Sequence, residues 1–248
     1  MGGVEPGRPW ESPTAGEGPR VVEGVDAELA AAWHEDPGSV IAFRPDASSD
    51  IARVLGTTTR TSGTEPTAPG DRVVALDGMW CVGEIPPSLS SRPADRRRER
   101  LERPVSEFPA IGTVVLGTPP DRLGRLSRSF HVRVAVDGRE VFAGKMTTVV
   151  VASGEFLRGA DLVPRGHPGD GRLEVQVYTL ERRQRKVMRE RLATAGHLPH
   201  PGILERSGRR VEVTVPTGSW PLEADAVPRA PVSGLEVTVL PGAVRLAL

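Results

Sequence analysis

Apolar residues gather in short Val-rich runs over most of the chain, separated by turn residues. Arg72–Leu76, Met79–Glu84, Ile111–Leu116, Phe130–Val136 and Glu140–Val151 are such runs, and Leu173–Leu180, Arg210–Val215, Leu235–Leu240 and Ala243–Leu246 continue them. β-Branched side chains fit a pleated, half-buried surface, so each run predicts a strand. Asp77-Gly78 and Asp137-Gly138 stand between runs. Asp-Gly readily takes the positive φ angles of a two-residue hairpin loop, so both predict hairpin turns. Many short strands broken by Gly and Pro turns predict a β-sandwich, and a mainly β (α+β) fold class.

Before Asp71 the texture differs. Ala and Leu favour a helix over Val25–Trp33, stopped by Pro37-Gly38, and Ser39–Phe43 reads as a short strand. Asp50–Leu55 predicts a second helix, N-capped by Ser48 or Ser49 and ended by Gly56. Residues 1–20 hold little to bury and read as a disordered tail. Thr57–Gly70 reads as a linker, and Ser90–Pro104 as an exposed loop or frayed helix. The division expected is a tail (1–20), a small α/β piece (21–66) and a sandwich (67–248), interrupted by one helix at Arg182–Ala193.

The 32 basic and 32 acidic residues cancel, which argues against a nucleic-acid partner. Cys81 is alone, so neither a disulfide framework nor a thiolate metal cluster is expected. The first residues lack the apolar run that a signal peptide needs, and no stretch of 18 apolar residues occurs, so the expectation is a cytoplasmic protein, one that can sit at the periphery of a membrane. Glu181–Leu192 carries six basic and two acidic residues. On a helix it gathers Leu180, Val187, Met188 and Leu192 to one side, with Arg182, Arg185, Lys186 and Arg189 around the rest. Such a helix either docks on anionic lipid headgroups or lays its thin apolar stripe on the protein. The five histidines show no ligand spacing, and His197 reads as a surface-loop residue.

Three segments, Val149-Val-Val-Ala-Ser-Gly154, Pro168-Gly-Asp-Gly-Arg-Leu-Glu-Val175 and Val239-Leu-Pro-Gly-Ala-Val-Arg245, resemble the C-terminal half of the bacterial diacylglycerol/lipid kinase family. Asp50-Ile-Ala-Arg-Val-Leu-Gly56 resembles the segment that closes that family's nucleotide site. The resemblance implies a remnant of an α/β nucleotide-binding domain followed by a lipid-binding sandwich. It also implies ATP and magnesium as cofactors, a diacylglycerol-like substrate and a place in phospholipid metabolism.

The same comparison exposes departures. Counting back from Asp50 sets Val21, Val22, Glu23, Gly24 and Val25 on the family's Gly-Gly-Asp-Gly-Thr loop, with Glu28 matching a helix glutamate. Only Gly24 is retained in that loop, and the closing Gly-Thr has become Asp46-Ala47. Val side chains crowd a phosphate cradle, and Glu23 and Asp46 repel an anion. The resemblance sets Asp225 and Ala226 on the Asp-Gly of a late Asp-Gly-Glu segment. Val227 then stands where the family's Glu serves as base, and Val cannot accept a proton. Strand alternation would put Glu223 and Asp225 on the face of Val227. Ser153 and Arg158-Gly-Ala160 stand where the family has Asn and a glycine run, and read as drift. For the metal, Asp170 with the backbone carbonyls of His167 and Arg172 takes the family's magnesium position, against the alternative of a plain turn.

The expectation is a lipid-kinase-like protein without phosphoryl transfer, a pseudokinase that binds a lipid or a partner. Two readings compete with it. One is an active ATP-dependent lipid kinase with a divergent site, or one completed by a complementing chain or a second copy in a homo-oligomer; the other is a β-sandwich interaction protein with no lipid role.

Overall fold

Described here is a computed structural model covering residues 19–56, 73–86 and 105–247. The tail up to residue 18, the linker Thr57–Gly70 and the charged run Ser90–Pro104 lie outside the described residues.

The N-terminal elements are β1 (Arg20–Gly24), α1 (Asp26–Glu35), β2 (Val40–Pro45) and α2 (Asp50–Val54), the last capped by Ser49. There follow β3 (Val73–Glu84), β4 (Val105–Ala110), β5 (Thr113–Gly117), a 3-10 turn at Pro120–Arg122, β6 (Phe130–Val136), β7 (Arg139–Met146) and β8 (Thr148–Ala152). A short pair, β9 (Phe156–Leu157) and β10 (Ala160–Asp161), precedes β11 (Leu173–Tyr178) and α3 (Gln184–Leu192). The chain closes with β12 (Ile203–Gly208), β13 (Arg210–Thr214), β14 (Trp220–Ala224), β15 (Val227–Val232) and β16 (Gly234–Ala247).

Eight strands make one sheet, in the order β1-β2-β16-β13-β6-β7 with β3 on β16 and β4 on β3; six make the other, β12-β11-β8-β5-β14-β15. Inward Val, Leu and Phe of both sheets form the main core, including Val132, Val134, Val211 and Val237 from the first and Val149, Val151, Val175 and Leu222 from the second. The sandwich predicted from the Val-rich runs is therefore present. Strand β5 is buried on both faces, because α3 and the loops around Leu123, Leu157 and Leu162 cover the outer side of the second sheet.

The N-terminal piece is fastened to the sandwich by main-chain pairing. β2 runs parallel to Arg245–Ala247 of β16, and β1 runs parallel to β2. Leu29, Trp33 and Ile51 then pack against Leu76, Val244 and Leu246.

Asp137-Gly138 turns the β6–β7 hairpin, with φ values of 50 and 76. Asp77-Gly78 does not turn. It lies inside the continuous strand β3, opposite an irregularity in β16 between Leu240 and Val244. The Asp77 carboxylate accepts the N–H groups of Gly171 (2.6 Å) and Gly242 (2.9 Å), so a buried acid staples the bulge to the 167–172 loop. Gly78 is glycine because the Trp33 ring lies against its backbone where a Cβ would stand.

The run Glu140–Val151 also divides. At Thr147, whose N–H reaches the Tyr178 carbonyl, the chain leaves the first sheet and enters the second. Strands β4, β12, β14 and β15 escape the sequence pattern for a common reason. Three are sheet edges, where Pro109, Pro228, Pro231 and polar residues are tolerated, and β14 carries Pro221 at a register shift. On α3, the buried face is Arg185, Met188 and Leu192; Val187 is 47% exposed, so the apolar side expected from spacing is displaced.

Candidate functional site

Strand β1 ends at Gly24, whose φ of +130 is open to glycine and strained for other residues. The next N–H, of Val25, is taken by the Glu28 carboxylate at 2.9 Å. The segment that the resemblance sets against this loop does come beside it, since the Asp46 N–H reaches the Gly24 carbonyl at 2.9 Å. Asp46 then turns its carboxylate onto the Ser48 N–H and hydroxyl, both at 2.7 Å, with Ala47 exposed between them. Val21 is 52% exposed, Val22 is half-buried, and Glu23 pairs with Arg44 at 2.9 Å. A nucleotide phosphate would meet a carboxylate where free N–H groups are needed, so the loop does not fit ATP as it stands.

Beneath the loop lies Asp26, buried, accepting the Ser49 hydroxyl (2.6 Å) and the N–H groups of Asp50 (2.9 Å) and Ile51 (3.2 Å). It thereby satisfies donors at the start of α2 that a five-residue helix cannot satisfy itself. Burial pushes the Asp26 carboxyl up to about 7; the negative charges of Asp225 and Asp50 push the same way, against the Ser49 hydrogen bond. Asp50 reaches across to the sandwich, accepting the N–H groups of Arg158 (2.6 Å) and Gly159 (2.7 Å). Burial raises its pKa too, opposed by those two donors.

Arg158 and Gly159 both take positive φ, 49 and 77, and this bend sends the Arg158 guanidinium back toward the second sheet. There it bonds Asp121 at 3.1 Å and Glu223, which Arg122 also approaches at 3.6 Å. Arg158 read as drift in the sequence; its main-chain N–H meets Asp50 of the N-terminal piece while its guanidinium ties Asp121 to Glu223 within the sandwich.

Asp225 is buried and accepts three consecutive N–H groups, Ile111 (2.9 Å), Gly112 (2.8 Å) and Thr113 (3.0 Å). Burial raises its pKa against those bonds. Asp225 and Ala226, with φ of 47 and 64, form the two-residue loop between β14 and β15. Glu223, Asp225 and Val227 thus do not share one strand face: Val227 pairs with Ala224 across the hairpin, and Glu223 with Pro228. The expected alternation fails because Asp225 gains three hydrogen bonds by turning. Val227 is half-buried, and Ser153 closes the same corner by donating its hydroxyl to the Ile111 carbonyl.

In the 167–172 loop His167, Asp170 and Arg172 are exposed, while Gly171 is buried against Asp77. Asp170 accepts the Arg172 N–H at 2.9 Å, and the His167 carbonyl accepts Gly169 and Asp170 N–H groups at 2.8 and 3.3 Å. Two of the three oxygens expected around magnesium thus serve the turn itself, the geometry of an Asx turn. Among the described residues no group of three or more His, Cys, Asp or Glu side chains could hold a metal. His197, expected on a surface loop, is buried with Nε2 2.9 Å from the Leu162 carbonyl. No helix among the described residues is long and apolar enough to cross a membrane.

The family described as the YegS C-terminal NAD kinase beta sandwich-like domain matches residues 125–248. Among curated proteins none matches the sequence. A diacylglycerol kinase structure from Bacillus anthracis str. Sterne superposes with a TM-score of 0.61 at 13% identity, over 92% of this chain and 75% of its own. A second structure from that organism, assigned to the same enzyme, gives 0.63 at 14% identity over 92% and 76%. At such identities the likeness is one of fold.

Proposed function

Since the chain belongs to the family of the YegS C-terminal NAD kinase beta sandwich-like domain, we propose that it is a lipid-kinase-like protein that binds a lipid without phosphorylating it. One observation carries this reading: the acids around the junction already have partners within the protein. Asp26, Asp50 and Asp225 accept main-chain N–H groups, while Asp121 and Glu223 neutralise Arg158. A general base needs a lone pair facing the substrate hydroxyl, and a metal-nucleotide needs free acids and free N–H donors. Both demands compete here with bonds that hold the fold. Val227 at the family's base position supports the same reading.

The test is transfer of radiolabelled phosphate from Mg-ATP to diacylglycerol in mixed micelles, for wild type and Val227→Glu, beside calorimetry with Mg-ATP. Neither protein should turn over, and neither should bind the nucleotide at micromolar concentration. ATP-dependent turnover by wild type would overturn the proposal. Turnover by Val227→Glu alone would mean that the nucleotide site works and that only the base is missing.

A further inference from the structure

Strands β5, β8 and β11 run side by side, and their register places Thr113 and Ala152 at one end, and Gly117, Thr148 and Tyr178 at the other. The junction described above lies at the first end. At the second, a groove of about 490 Å³ opens between the loop before β6, the end of β7 and the start of α3. Arg128, Lys145, Arg182 and Arg185 line it, with Glu181 as the single acid, and Glu181 is held by Arg183 at 2.8 Å.

Arg185 forms the floor. It is 4% exposed, yet its guanidinium meets only neutral acceptors: the carbonyls of Leu180 (3.2 Å) and Ser127 (2.6 Å) and the hydroxyl of Ser129 (2.8 Å). A buried cation ordinarily has a counter-charge. Burial, and next the charge of Arg182 three residues before it, lower its pKa. Arg128, Lys145 and Arg182 are exposed, and none forms an ion pair with an acid among the described residues. Arg128 lies 5.3 Å from the Trp220 ring centroid. The Ser127 and Ser129 hydroxyls each accept a hydrogen bond, from Gly124 and Arg185, which leaves their own protons to donate.

Guanidinium forks, an ammonium and hydroxyl donors around one groove match the oxygens of a phosphate. At its rim stands Leu126, 94% exposed, the most exposed large apolar side chain described. A soluble phosphate gives that side chain nothing to do; a membrane gives it hydrocarbon. We propose that this groove docks the protein on a membrane, taking the phosphate of an anionic phospholipid headgroup between Arg128, Lys145 and Arg182 while Leu126 enters the acyl boundary. The surface is independent of any chemistry at the junction.

Co-sedimentation of the full chain with phosphatidylcholine vesicles, with and without phosphatidylglycerol, tests this. Binding should require phosphatidylglycerol and weaken as salt is raised. Each cation removed near an anionic surface costs roughly fivefold in partitioning, so Arg128→Gln, Lys145→Gln and Arg182→Gln together should lose about a hundredfold. Leu126→Gln should lose roughly tenfold with the charges intact. Unchanged melting temperatures would show that both variants are folded; a variant that unfolds is replaced by its single substitutions. Equal binding to phosphatidylcholine alone overturns the proposal. So does capture of inorganic phosphate or polyglutamate without vesicle binding, or full binding by the triple variant.

Discussion

Around the Thr113 end of β5, the carboxylates of Asp26, Asp50 and Asp225 each accept two or three hydrogen bonds from the protein itself. Around its Gly117 end, Arg128, Lys145 and Arg182 face solvent beside a buried Arg185 that has only neutral acceptors. The difference is one of solvation. A buried acid left without donors would cost several kcal/mol, so the junction's charges have become structural. An exposed cation loses little by waiting in water, and its charge remains available to a ligand. Resemblance to a known site marks the first end, whereas free charge marks the second.

The contrast breaks most visibly at Asp225. Asp225→Ala would strand three buried N–H donors at roughly 1–3 kcal/mol each, a sum comparable to the whole stability of a domain. Denaturant unfolding should find it unfolded or barely folded, and near-wild-type stability would show that the acid is not structural.

Next comes pH. Asp26 holds its proton more tightly folded than unfolded, its pKa rising from 3.8 to about 7. Its contribution to stability is therefore greatest below the unfolded value and declines as pH climbs from about 4 through about 7, by up to ~1.4 kcal/mol per unit. In Asp26→Asn, the amide oxygen can keep both N–H bonds and the NH₂ can donate to Ser49. Unfolding curves at pH 5 and 7.5 should lie closer together for Asp26→Asn than for wild type, and equal spacing would refute the assignment.

Asp170→Ala sharpens the metal question. As a turn residue it should cost about 0.5–1.5 kcal/mol, equally in magnesium and in EDTA. A loss confined to magnesium would restore the ion. Smallest of all, Arg182→Gln should shift stability by less than about 0.5 kcal/mol while weakening vesicle binding.

The fold was legible wherever short-range chemistry decides it. Phe130–Val136 with its Asp137-Gly138 turn, and Asp50 with its Ser49 cap, need only near neighbours. Asp77-Gly78 carries the same dipeptide, but Trp33 and the β16 bulge decide its conformation, and nothing local reveals them. The site divides similarly. The closeness of Gly24 and Asp46 followed from the resemblance, whereas Asp26 and Arg158 owe their roles to partners scattered along the chain. An arginine within a run where the family has glycines was the one available signal for Arg158.

Strand β16 imposes an order of assembly. Val40 finds its partner in Arg245, about two hundred positions downstream, so the α/β piece has no sheet to join until the far end of the chain is in place. Synthesis delivers β1, α1, β2 and α2 well before the strand that supports them. These elements must therefore wait, with Leu29, Trp33 and Ile51 uncovered, until Val244 and Leu246 arrive.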